Sequence, residues 1–143
     1  MNKWITVVLL GLLSATSWAE QFKTVKDVEV HYSAFNSTFL TPQVARSYQL
    51  KRNSYNAILN ISVLDRSQPG KPSIEAKLSG YARNLIGNSR NLTFREVKEG
   101  DAIYYLAEVP ISNEENITFK VDVDAGIKGA DTLTFSQKFY VDE

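Results

Sequence analysis

From Ile117 to Val123 the chain alternates without a break, with Ile117, Phe119, Val121 and Val123 on one side of an extended backbone and Thr118, Lys120 and Asp122 on the other. A period of two excludes a helix, whose period is 3.6, and requires one buried and one wetted face. The preceding residues fit the same plan. Phe94 to Lys98 and Ala102 to Val109 flank Glu99-Gly100-Asp101, a glycine-containing loop of the kind that closes a hairpin. A second reversal falls at Ser112 to Asn116, after Pro110, which cannot donate to a ladder. The stretch from Phe94 to Val123 therefore reads as a three-stranded antiparallel meander.

The same alternation recurs elsewhere. Val28, Val30, Tyr32 and Ala34 form one apolar face, Ala57, Leu59, Ile61 and Val63 a second, and Ile74, Ala76 and Leu78 a third that continues through Gly80 and Ala82. The small size of Gly80 and Ala82 predicts close approach of another backbone. Leu133, Phe135, Gln137, Phe139 and Val141 close the chain in the same way. Thr41 as a cap and Pro42 at the first helical position mark one short helix. About seven strands at this spacing predict an all-β, immunoglobulin-like antiparallel sandwich with one short helix. Closure into a small barrel is the competing architecture, and pairing of the first and last strands distinguishes the two.

Met1 to Ala19 has the form of a secretory signal. Lys3 supplies the charged start, Trp4 to Leu13 the apolar run, and Ser17-Trp18-Ala19 a small-x-small site for cleavage after Ala19. The apolar run is too short to span a bilayer, so no membrane span is expected after cleavage. Residues 20–143 then form one β-sandwich domain. The sequence has no cysteine, which excludes disulfides and favours a bacterial periplasm over a eukaryotic secretory route. Sixteen basic side chains face sixteen acidic ones, and losing Lys3 leaves the balance within one charge of neutral. That arithmetic gives no electrostatic case for nucleic acid or an anionic membrane.

Several longer strings carry a family likeness: His31 to Pro42 (HYSAFNSTFLTP), Leu59 to Val63 (LNISV), Phe94 to Tyr105 (FREVKEGDAIYY), Ser112 to Glu115 (SNEE) and Phe135 to Tyr140 (FSQKFY). With them the chain resembles the small proteobacterial periplasmic proteins catalogued as a domain of unknown function, number four-four-two-six. The resemblance spans nearly all of residues 20–143. It implies a periplasmic location and no particular activity.

Nothing in the sequence assembles a reactive centre. His31 is the only histidine, which removes every two-histidine metal site, and it lies opposite Tyr32 on the wet side of its strand. Asp122, Asp124 and Asp131 around Gly126 and Gly129 invite a calcium reading, but a hand-type loop begun at Asp122 would need its glycine and glutamate where Ile127 and Leu133 stand. Glu114 and Glu115 belong to a turn. There is no G-x-S-x-G, phosphate-cradling loop or zinc pattern. The reading is a non-enzyme with no cofactor and no metal.

Two stretches remain as partner-binding candidates. Tyr104 and Leu106 leave a strand apolar on both faces, which puts them on an outer surface with Tyr81 and Tyr140 as neighbours. Asn36, Ser37 and Phe39 lie in the Phe35 to Leu40 loop, where polar groups stand among apolar ones on a rigid scaffold. These residues make the expected function that of a periplasmic binding or interaction module, its partner another protein or an envelope component. A small-ligand or ion binder, or an enzyme with a site formed by distant loops, is the first alternative. A homodimer through an open sheet edge is the second.

Overall fold

The structure, a computed structural model, describes residues 21–141; the leader and its cleavage point after Ala19 lie outside them. Two antiparallel sheets stack face to face. The first is built from β1 (Gln21–Val25), β2 (Val28–Asn36), β3 (Asn56–Asp65), β6 (Arg95–Glu99) and β7 (Ala102–Pro110), in the order β1-β2-β3-β7-β6. The second holds β4 (Lys77–Asn84), β5 (Ser89–Asn91), β8 (Glu115–Asp124) and β9 (Ala130–Phe139), in the order β5-β4-β8-β9. The faces expected to be buried are the ones that meet. Val28, Val30, Ala57, Leu59, Ile61 and Val63 from the first sheet pack against Ile117, Phe119, Val121, Val123 and Leu133 from the second. Tyr32 reaches across the gap to Phe135, ring centroids 4.5 Å apart, and Phe135 stacks on Phe119 at 4.9 Å.

The two-layer sandwich is as expected, and it is open: β1 and β9 lie in different sheets and share no ladder. Side chains join those edges instead, with Lys23 Nζ donating to the Thr132 carbonyl at 3.1 Å and lying 3.2 Å from Asp131. There are nine strands among the described residues rather than about seven. The added ones, β1 and β5, are edge strands exposed along most of their length. A strand wetted on both faces has no apolar period to betray it.

The predicted meander is corrected. β6 and β7 form the hairpin, with Gly100 at φ +60° in its turn, but β8 pairs with β4 and β9 in the other sheet. The chain crosses between layers after Pro110. The Ile111 amide bonds back to the Tyr55 carbonyl at 3.0 Å, and the Glu115 carboxylate receives the Ser112 amide at 3.0 Å. The predicted strand from Ile74 begins only at Lys77, because Ser73 and Ile74 still bond to β3 and the Ala76 amide donates to the Tyr105 hydroxyl at 3.0 Å. Thr41 and Pro42 do start the helix, α1 (Pro42–Ser47), with Thr41 Oγ1 accepting from the Val44 amide at 3.2 Å.

Two carboxylates hold the loops around β3. Asp65 accepts from the Ser67 hydroxyl and amide and from Gln68, and lies 3.2 Å from Lys128. The Ser67 hydroxyl bond, with help from Lys128, keeps its pKa below the ordinary value despite the opposing effect of burial. Glu29 is held low by its hydrogen bond to Lys71 and then by that to His31. A carboxylate depressed in the folded state stabilises the fold above its unfolded pKa and loses that contribution as pH falls through the folded value. The denaturation midpoint is therefore expected to stay level from pH 7 down to about 5 and to fall below about pH 4. Asp65→Asn should flatten that acid limb, and an unchanged limb in urea titrations across pH would refute the assignment.

Candidate functional site

A two-layer sandwich buries one face of each sheet, yet part of the outer face of the five-stranded sheet is apolar as well. Phe35 faces Ile58 across β2 and β3, and Tyr104 faces Val97 across β7 and β6. With Leu106 they form a second cluster separate from the main core, in which Ile58 and Leu106 are buried. These positions break the simple alternation because a stretch of chain lies over them.

That cover is residues 37–55, hung on the sheet by side-chain to backbone bonds. Ser37, fully buried, donates its hydroxyl to the Asn53 carbonyl at 2.8 Å and accepts the Asn53 amide at 3.0 Å. Arg52 donates to the Leu40 carbonyl at 2.7 Å. Glu108, on β7, accepts from the Lys51 amide at 2.9 Å and from Asn56 at 2.8 Å. Arg95, on the β6 edge, donates to the carbonyls of Tyr48 and Gln49. All but the Asn56–Glu108 bond pair a backbone carbonyl or amide of the irregular segment.

Between this cover and the β6-β7 hairpin runs a groove of about 390 Å³. Leu40, Val44, Tyr48 and Leu50 form its wall on the cover side, while Phe35, Ile58, Val97, Tyr104 and Leu106 supply the sheet side. Two other residues line it, Asn60 and Glu99. The Asn60 side-chain oxygen is buried and has no hydrogen-bond partner. Buried polar atoms are nearly always paired, and an orphan costs about 1–3 kcal/mol. Beyond Leu50 and Leu106 the depression continues into a second hollow of about 210 Å³ beside Asn91, Thr93 and Arg95.

The sequence-derived candidates are redistributed by this geometry. Tyr104 and Leu106 do lie on the outer face, but under the cover, and they meet Phe35 and Leu40 from the other candidate stretch. Tyr81 and Tyr140 are not their neighbours. Tyr81 stands on β4 in the opposite sheet, with the Arg83 guanidinium 5.0 Å from its ring centre, and Tyr140 follows β9, its carbonyl accepting from the Asn36 side-chain Nδ2 at 2.6 Å. Ser37 is a buried lock of the cover, whereas Phe39 is 65% exposed. Sequence reasoning missed Val44, Tyr48, Leu50, Ile58, Asn60, Val97 and Glu99. One signal was available: Ala57-Ile58-Leu59 is apolar on both faces of β3, as Tyr104 to Leu106 is on β7.

His31 lies on the outer face as expected, stacked on Phe22 at 5.0 Å with its Nε2 3.0 Å from Glu29, whose other oxygen is 2.8 Å from Lys71. Asp122 accepts from the Thr132 hydroxyl, Asp124 from the Gly126 amide, and Asp131 pairs with Lys23. No group of three or more His, Cys, Asp or Glu side chains that could hold a metal ion exists among the described residues. No described helix is long and apolar enough to cross a membrane.

The fold has solved counterparts. A DUF4426 family protein from Pseudomonas aeruginosa PAO1 is 38% identical, the match covering 87% of this chain and 97% of that one with a TM-score of 0.75. FetP of uropathogenic Escherichia coli strain F11, expressed recombinantly in the periplasm of E. coli, matches over 87% of this chain and 96% of its own at a TM-score of 0.58. A copper-bound variant of FetP aligns with the same TM-score of 0.58. At 13% identity the FetP likeness shows the fold alone. No curated protein matches the chain. The model of the domain of unknown function DUF4426 matches residues 22–142, nearly the whole of the described sandwich, and with the Pseudomonas relative it establishes that this chain belongs to the DUF4426 family.

Proposed function

We propose that the chain is a non-enzymatic binding module of the bacterial periplasm, and that its site is the groove between the 37–55 cover and the β6-β7 hairpin. The secretory form of Met1 to Ala19 supports the location. One observation carries the site: the buried, unpartnered Asn60 oxygen beside a groove lined by apolar and aromatic side chains except for Asn60 and Glu99. A fold optimised for stability alone would put a leucine there, because an orphan acceptor costs energy that a hydrocarbon side chain does not. A ligand with an apolar body and one N–H or O–H group would bury its body against Ile58 and Leu106 and satisfy that oxygen. The groove volume lies within the range of small-molecule sites.

The test exploits the conflict between stability and binding. A neutral fluorophore with one N–H donor, N-phenyl-1-naphthylamine, is expected to brighten on titration with the protein. Asn60→Leu should raise the unfolding free energy by about 1 kcal/mol while weakening the probe about tenfold. Val44→Glu, at a wall position 39% exposed to solvent, should abolish the brightening without unfolding the chain. Binding unaffected by both changes would place the site elsewhere, and a destabilised Asn60→Leu would mean that the amide is structural.

A further inference from the structure

We infer that the groove, taken as the binding site on the reading above, selects a small organic cation: an ammonium group on an apolar body. Its only charged lining residue is Glu99, at the end of β6, and no Lys, Arg or His lines it. Glu99 makes no ion pair among the described residues, whereas its neighbour Lys98 is committed to Glu75 at 2.8 Å. Arg46 lies on the cover but does not line the groove. Arg52 is spent on the Leu40 and Thr38 carbonyls, and Arg95, which lines the adjoining hollow, on those of Tyr48 and Gln49, so both fasten the wall.

The rings of Phe35, Tyr48 and Tyr104 add a second preference of the same sign. Aromatic faces carry negative charge density, and a cation set against them is attracted, most strongly where water is excluded. An anion beside Glu99 would meet its carboxylate, with no basic side chain among the groove's lining residues to offset it. The apolar remainder of the ligand lies against Leu40, Ile58 and Leu106. A groove of about 390 Å³ matches the lower part of the range for small-molecule sites, which favours a compact amphiphile over a length of polypeptide.

Calorimetric titration of the purified protein with octylammonium, octanol and octanoate tests this without a reporter probe. Octylammonium is expected to bind about tenfold more tightly than octanol, and octanoate to give no measurable heat of binding. Glu99→Gln should cut the advantage of octylammonium over octanol severalfold, leaving the share the rings supply, and should leave octanol unchanged. Equal binding of all three, tighter binding of octanoate, or a cation preference undiminished by Glu99→Gln would overturn the selectivity while leaving the groove as the site. Binding by none of them would overturn both. An apolar peptide bearing one lysine that binds more tightly than octylammonium would overturn the small-molecule assignment.

Discussion

Phe119→Ala is expected to lower the unfolding free energy by about 3–5 kcal/mol, a large part of the roughly 5–15 kcal/mol that holds a domain of this kind together. Phe119 is completely buried and heads the fully buried side chains by size. It stacks on Phe135 at 4.9 Å, meets Phe139 edge-on at 6.2 Å, and stands between Ala82 on one neighbouring strand and Phe135 on the other. Collapse into the void is blocked on both sides, because β8 is laddered to β4 and to β9 along nearly its whole length. The cost therefore includes the cavity as well as the lost transfer energy. Urea denaturation should show a lower midpoint with an unchanged slope. A loss under about 1 kcal/mol would mean that the layers close over the gap, contrary to a core held by two continuous ladders.

Gly80→Ala should be nearly as damaging, at about 3 kcal/mol, although it adds a single methyl group. A Cβ at Gly80 would lie 2.2 Å from the Lys120 carbonyl oxygen and 2.9 Å from the Val121 Cα. Both are backbone atoms of the adjoining strand β8, so no side chain can swing aside and the β4-β8 ladder must part. Gly70→Ala provides the comparison. A Cβ there meets nothing within 4 Å, and its cost comes only from the φ of +77°, about 1–2 kcal/mol. Hydrogen exchange should show faster exchange around Lys120 and Val121 in Gly80→Ala and unchanged rates there in Gly70→Ala. Equal effects of the two substitutions would remove the close approach from the account.

Both predictions rest on residues whose role was legible before any coordinates. The alternation at Ile117 to Val123 already placed Phe119 inside, and the run Leu78, Gly80, Ala82 already implied a neighbouring backbone pressed close. The open question of closure was settled by the sheets themselves, which leave β1 and β9 unladdered. The candidate site was legible only in halves. The Phe35 to Leu40 loop and the Tyr104 to Leu106 strand were each noticed, but as separate surfaces, and Tyr81 and Tyr140 were grouped with the wrong sheet.

What the order of residues determined alone is local: which face of each strand is apolar, where Thr41 and Pro42 start a helix, where a glycine must turn or make room. These follow from the period of two and from backbone sterics, which a short window contains in full. Tertiary structure alone decided that β8 leaves the β6-β7 hairpin for the opposite sheet, that residues 37–55 fold back over Ile58 and Leu106, and that Asn60 ends in a groove without a partner. An apolar stripe records that it must be covered and carries no record of what covers it. That choice depends on the fit between surfaces far apart in the chain, where Ser37 meets Asn53, Glu108 meets Lys51 and Arg95 meets Tyr48.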